Sequence, residues 1–148
     1  MTPSPIRRVL SILLTHRLEF LLMGGQACIL YGAAEFSRDL DVTIHISEDN
    51  IARLQAALAT LDAEVVYFPA LSTTALERGH ACHFRCRAAG ANGMRLDVMA
   101  RMRGVDSWNA LWERRVELEL VGVGRVPVMG LSDLVRAKKT QRDKDWPM

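Results

Sequence analysis

Apolar and polar positions along the chain follow two periods. After Ser4 and Pro5, Val9, Leu10, Leu13 and Leu14 recur at helical spacing. Serine caps free amides, and proline at the first helical position has no amide to waste, so a helix over about residues 5–17 is expected. "LEFLLMG" is a short apolar run closed by glycine, a buried strand. Gln26 to Ala34 holds Ala and Leu without Pro and predicts a helix beginning at Gly25. "LDVTIHI" then alternates strictly, with Leu40, Val42, Ile44 and Ile46 on one face and Asp39, Asp41, Thr43 and His45 on the other, which is a strand with one face in the core.

Ser47 predicts the cap of a further helix, with Glu48 and Asp49 at its positive end and Ile51, Leu54, Leu58 and Leu61 on its apolar stripe. "EVVYF" reads as a strand and Leu71 to Arg78 as a short helix. "CHFRCRA" and "GMRLDVMA" flank the turn-prone "AGANG" and predict an antiparallel hairpin. Val105 to Arg114 reads as helix, while Val116 to Val121 and Arg125 to Met129 read as extended. Ser132 is the expected cap of a last helix running through "DLVRAKKTQRDKDW" to Pro147. Helices and strands alternate early and a hairpin follows, so the fold class is α/β (α+β).

Length and composition narrow this little. The 148 residues suit a single domain, 1–148, able to bury one core. A net charge of +2 permits an anionic ligand without demanding one. Three cysteines, an odd number, do not make a secreted disulfide framework and point to a reducing, cytoplasmic setting. Arg7 and Arg8 precede an apolar stretch, but His16, Arg17 and Glu19 interrupt it too early for an export signal or a membrane span. No repeat, low-complexity tract or linker is visible.

The chemistry concentrates in three short stretches. Asp39 and Asp41 are two apart on a strand, so both carboxylates leave the same face and converge. Like charges that close call for a cation, and hard oxygen donors favour Mg²⁺ over zinc. Leu96, Asp97 and Val98 repeat the pattern of one acid between apolar neighbours, making Asp97 the third carboxylate if the two strands adjoin. Gly24 and Gly25, between strand and helix, present bare amides at a positive helix end, and the missing Cβ lets phosphates approach. The pair fits neither the dinucleotide fingerprint nor the P-loop. Together the three stretches form a site for a nucleoside triphosphate and a metal ion.

The ordered set resembles the nucleotidyltransferase superfamily that includes DNA polymerase beta: Gly24-Gly25, a thirteen-residue interval, Asp39-Leu40-Asp41, and later Leu96-Asp97-Val98. "GGQACILYG" with "SRDLDVTI" looks most like its small bacterial branch related to AbiEii-type toxins and to aminoglycoside and lincosamide nucleotidyltransferases. "LSDLVRAKKTQRDKDW" is similar to a helix of that branch, and Lys138, Arg142 and Asp145 fall on one helical face. The resemblance implies a short mixed β-sheet flanked by helices and a transfer of NMP from an NTP to an acceptor hydroxyl with release of pyrophosphate. By it, Asp39 and Asp41 would hold two Mg²⁺ ions. Asp97 would share the catalytic metal and help deprotonate the acceptor. Gly24 and Gly25 would contact the β and γ phosphates, with Lys138 or Lys139 and Arg142 neutralising them. Many members carry Ser where this chain has Gly25, leaving Gln26 or backbone to serve here. Relatives also commonly continue past the Lys-Asp pair with helices that bind the acceptor, so the chain is expected to lack a C-terminal extension.

Alternatives stay open at this point. The acceptor is a small molecule, RNA or protein. A non-catalytic nucleotide-binding or regulatory module of a toxin–antitoxin pair, with a cognate partner protein, is the second reading, and a plain globular domain with solvated acids the third. "GHACHFRC" offers His80, Cys82, His83 and Cys86 for zinc, but alternation along a strand would point them to opposite faces and make both cysteines core residues. Trp108 and Trp112 read as packing before base stacking. Arg7, Arg8, Arg114 and Arg115 read as solvated charges.

Overall fold

The structure, a computed structural model, describes residues 4–31, 39–91 and 93–145, with the side chains of residues 140–145 outside that description. In chain order the elements are α1 (Pro5–Thr15), β1 (Phe20–Met23), α2 (Gly24–Leu30), β2 (Asp39–Ile44), α3 (Glu48–Thr60), β3 (Glu64–Val65), α4 (Thr73–Glu77), β4 (Cys82–Arg85), β5 (Arg95–Met99), α5 (Trp108–Glu113), β6 (Val116–Leu120), β7 (Gly124–Val128) and α6 (Leu131–Asp145). The strands form one seven-stranded sheet in the order β3-β4-β5-β2-β1-β7-β6. β2 runs parallel to β5 and β1 parallel to β7, and the remaining neighbours are antiparallel. The sheet is therefore mixed and helix-flanked, as the family resemblance implies.

β1 is apolar throughout, and β2 turns one apolar face into the core while its other face carries Asp39 and Asp41. All four residues of β1 are buried, and Leu40, Val42 and Ile44 of β2 lie in the core beside Leu96 and Val98 of β5. Burying a Leu, Ile or Val side chain contributes roughly 1.5–3 kcal/mol each, so this centre anchors the fold. Ser4 caps α1 by accepting from the Arg7 amide, and Ser47 caps α3 by accepting from the Asn50 amide. Asn50, which hydrophobic periodicity passes over, is a buried polar latch. Its Oδ1 accepts from the Glu19 amide at 2.8 Å, and its Nδ2 donates to the Glu19 and His45 carbonyls at 3.0 and 2.8 Å. Three bonds satisfy the amide and tie α3 to the outer ends of β1 and β2.

Several boundaries differ from the sequence reading for local reasons. "EVVYF" keeps only Glu64–Val65 as strand, because β3 is an edge whose sole partner is β4. α5 starts three residues later than expected, at Trp108 after Ser107. α6 begins at Leu131, so Ser132 is inside the helix and does not cap it. Gly130 supplies the first accepting carbonyl, to Leu134, and a Cβ there would meet the Arg114 carbonyl oxygen at 2.7 Å. The end of the helix expected to reach Ala34, Arg38, and the stop at Trp146 and Pro147 lie outside the described residues. Among the described residues no helix is long and apolar enough to cross a membrane.

Candidate functional site

Strand register brings the acids together. Asp41 of β2 pairs with Asp97 of β5, Asp39 pairs with Arg95, and on the other side Met23 of β1 pairs with Asp41. His83 of β4 pairs in turn with Asp97. A row of four strands thus carries His83, Asp97, Asp41 and Met23 abreast, with Gly24 immediately after Met23 at the corner into α2. The condition the sequence left open, that the strand of Asp97 adjoin that of Asp39 and Asp41, is met by the parallel pairing of β2 and β5.

The corner explains the glycine. Gly24 has φ +69°, a left-handed conformation that side-chain-bearing residues rarely hold. A Cβ there would overlap Asp41 Oδ2 and lie 2.9 Å from Asp41 Cγ. Absence of a side chain at Gly24 is what lets Asp41 stand against the start of α2. No side chain caps that start. A cleft of about 130 Å³ opens here, lined by Gly24, Gly25, Cys28 and Asp41 on one side and Leu134, Ala137 and Lys138 of α6 on the other. Gln26 is buried in the same first turn. Arg142 is on α6, and its side chain is outside the described residues.

Electrostatics single out Asp41. Burial disfavours its charge most, and the adjacent Asp97 and then Asp39 add to this, with Asp97 near enough to share a proton. Arg95 acts in the opposite direction and is outweighed, so the carboxyl is pushed up to about 7. Asp97, also buried, gives Oδ1 to two donors, His83 Nδ1 at 2.7 Å and Arg95 Nη2 at 3.1 Å. Arg95 Nη2 also lies 3.2 Å from His83 Nδ1. A guanidinium only donates, so with a carboxylate at 2.7 Å the His83 proton sits on Nδ1 and the arginine–histidine approach is packing. His83, offered by the sequence as a zinc candidate, faces the same cleft as Asp97, and Arg95 joins it without having been a candidate. The signal that could have found them is register, since His83 alternates outward from Cys82 and Phe84 and Arg95 is two residues before Asp97.

A divalent cation suits this donor set. Asp39, Asp41 and Asp97 supply oxygen ligands only, on one face, at a place where the ionised form of Asp41 lacks compensation. Among the described residues, however, no group of three acidic, histidine or cysteine side chains is already disposed around one point. Asp97 is turned toward His83 and Arg95, and Asp41 is close to Asp97.

The competing zinc motif dissolves. Cys82 and Cys86 are fully buried while His83 is on the opposite face, and burial pushes the Cys86 thiol up to about 11. Trp108 and Trp112 stack on each other with centroids 5.4 Å apart, and Trp108 stacks on His45 at 5.6 Å, which is packing at the end of β2 remote from Asp39. Arg114 is exposed, yet it is firmly paired. It donates to both oxygens of buried Asp133 at 2.9 and 2.8 Å and to Asp106 at 2.8 Å.

No protein-family model matches the chain, and no curated protein matches it. Solved structures do. A Thermotoga maritima protein assigned as a nucleotidyltransferase superposes with a TM-score of 0.61 at 16% identity, over 94% of this chain and 84% of that one. The antibiotic-resistance factor ANT(2'')-Ia superposes with a TM-score of 0.61 in two structures. The crystal structure in complex with adenylyl-2''-tobramycin is 14% identical over 96% of this chain and 79% of that one. The solution structure is 15% identical over 97% and 75%. Sheet order, flanking helices and these superpositions agree, and the chain has the nucleotidyltransferase fold.

Proposed function

We propose that the chain is a metal-dependent nucleotidyltransferase that moves an NMP from a nucleoside triphosphate to an acceptor hydroxyl and releases pyrophosphate. The observation that carries this reading is the row Gly24, Asp41, Asp97: a carboxylate whose ionisation is opposed by burial and by two other acids, standing against an uncapped helix start.

In this reading Asp39, Asp41 and Asp97 hold Mg²⁺, two ions in the fullest form. When bound, the metal supplies charge neutralisation for the attacking and leaving oxygens. The chain's own groups do the rest. Gly24 and Gly25 admit the β and γ phosphates to the first-turn amides of α2, with Gln26 beside them. Lys138, and Arg142 one turn further along α6, neutralise the same phosphates. The acceptor oxygen bonds to the α-phosphorus as the bridging bond to the β-phosphate breaks, and pyrophosphate leaves with that electron pair. The hydroxyl proton would pass to Asp97. Positioning and charge compensation account for most of the rate in such transfers.

The test is a thermal-shift titration with each of the four ribonucleoside triphosphates, with and without Mg²⁺, on the wild type and on Asp39→Ala. A ligand that binds only the native state raises its melting temperature, so no acceptor need be known. The expected result is a Mg²⁺-dependent rise that Asp39→Ala loses. A rise of equal size in the variant, or none with any triphosphate, overturns the assignment.

A further inference from the structure

We infer that the wing of the sheet beyond Asp97 is the acceptor subsite, and that it takes an acceptor bearing a phosphate and a planar ring, a nucleotide, rather than a polycationic sugar. This rests on the function proposed above and adds the class of its second substrate.

Direction comes first. The cleft of Gly24, Gly25 and Lys138 lies on the β1 and α6 side of Asp41. Pyrophosphate departs toward that side. The attacking oxygen and the leaving oxygen are roughly in line through phosphorus, so the acceptor enters from the opposite side. Crossing Asp41 away from β1 leads to Asp97 and Arg95 on β5, then to His83 and Arg85 on β4, and then to the edge at β3.

That wing has a consistent chemistry. Arg95 is two residues from Asp97 and therefore on its face, and register sets Arg85 beside Arg95. The Arg95 guanidinium stacks over the Tyr67 ring at 5.2 Å, and the same ring meets His83 edge-on at 5.5 Å. Tyr67 is 54% exposed and the next residue, Phe68, 95% exposed. Two large aromatic rings in solvent, the first already in contact with a cation and an imidazole, make a platform for another flat ring. Glu64, the acid at that edge, is spoken for by Arg87 at 2.9 Å. The arginines repel a polyamine and attract phosphate, and the exposed rings give a base a surface on which to stack. ANT(2'')-Ia shares the fold and is solved with adenylyl-2''-tobramycin, so the two chains would differ in acceptor while agreeing in framework.

The full chain is incubated with Mg²⁺ and α-labelled triphosphate in the presence of a single-stranded RNA oligonucleotide with a free 3′ hydroxyl, of adenosine monophosphate, or of tobramycin. The expected result is label on the RNA or on the mononucleotide and none on tobramycin. Preference for RNA identifies a polymer end as the source of the chemistry, and equal use of both identifies the nucleotide alone. Tyr67→Ala is expected to raise the acceptor KM about tenfold, the scale of one lost stacking contact. Its triphosphate-induced thermal shift shows that it is folded, and Tyr67→Trp is expected to restore the KM. Labelling of tobramycin alone, labelling of nothing, or a Tyr67→Ala KM equal to wild type overturns the subsite. In each of those cases an intact Mg²⁺-dependent triphosphate shift leaves the nucleotidyltransferase reading standing. Loss of that shift in the wild type overturns both.

Discussion

Two places in the molecule bury acids on opposite terms. In the first turn of α6, Asp133 has both oxygens held by Arg114 at 2.9 and 2.8 Å, and Arg114 reaches Asp106 at 2.8 Å as well. Arg136 adds a further cation 3.7 Å from Asp106. At the centre of the sheet, Asp41 and Asp97 stand abreast with Asp39 close by, and Arg95 is too little to offset them, so Asp41 is pushed up to about 7. Nothing in the chain required this shortage, since the α6 corner shows how the same fold compensates a buried carboxylate. Asp133 has an arginine on both oxygens and Asp97 has Arg95 and His83, whereas at Asp41 the nearby arginine is outweighed. An acid held short of compensation is set to receive charge from outside, which is what a cation arriving with a triphosphate would bring.

The sharpest way to break this comparison is Asp41→Asn, which keeps the shape and removes the charge. Turnover in the transfer assay is expected to fall about a thousandfold, the scale at which a charge-stabilising group at a reaction centre is missed. The metal-free variant is expected to melt higher than the wild type at pH 8, because an uncompensated buried charge has gone. A variant that transfers normally and melts lower would make Asp41 a structural partner of the Asp133 kind.

The α6 corner should respond in the reverse sense. Arg114→Ala leaves Asp133 buried and uncompensated, the costly way to break such a pair. Its melting temperature is expected to drop well below that of any substitution at Asp39, Asp41 or Asp97. Turnover per folded molecule should be unaltered. Circular-dichroism melts read beside the transfer assay separate the two regions, and an equal fall in both readouts would erase the distinction between them.

Proton linkage gives the third contrast. The Asp41 carboxyl holds its proton more tightly in the folded chain, near 7, than in the unfolded chain, where carboxyls titrate near about 4. Between those values the native state binds more protons than the unfolded one, and stability falls as pH rises. The contribution is fully present below the unfolded value and lost on passing through the folded one, up to a few kcal/mol in all. Chemical denaturation of metal-free wild type from pH 5 to 8 should show this decline, and Asp41→Asn should flatten it. A wild type as stable at pH 8 as at pH 5 refutes the shortage of charge.

Much of this was legible because it depends on local pattern. Strict alternation from Leu40 to Ile46 fixed which face of β2 carries Asp39 and Asp41, and Ser4 and Ser47 cap the helices their positions announce. Long-range pairing was not legible. That Asp97 is Cα partner to Asp41, and His83 to Asp97, depends on register between strands that the chain reaches separately. The same holds for Arg114, whose partner Asp133 is nineteen residues away on another element. Alone, an arginine after a helix reads as solvated. Asn50 escaped because its three bonds go to backbone groups of segments that no periodicity connects to it.

The mildest test returns to the cleft that joins the two regions, because α6 carries Asp133 in its first turn and Lys138 farther along. Lys138 lines the space opposite Gly24 and Asp41. A lysine there meets phosphate as a point charge, and a charge-assisted contact of that kind is worth about 1.5–3 kcal/mol. Lys138→Ala is therefore expected to weaken triphosphate binding by about ten- to a hundredfold. Monophosphate binding should change far less, because the lysine is assigned to the distal phosphates. Calorimetric titration of both nucleotides against both proteins decides it. Equal losses would mean that Lys138 senses the α-phosphate or the sugar, and would reverse the direction in which the triphosphate lies along the cleft. That reversal would also carry the acceptor to the β1 side and away from Tyr67, so the smallest effect expected here bears on the orientation of both substrates.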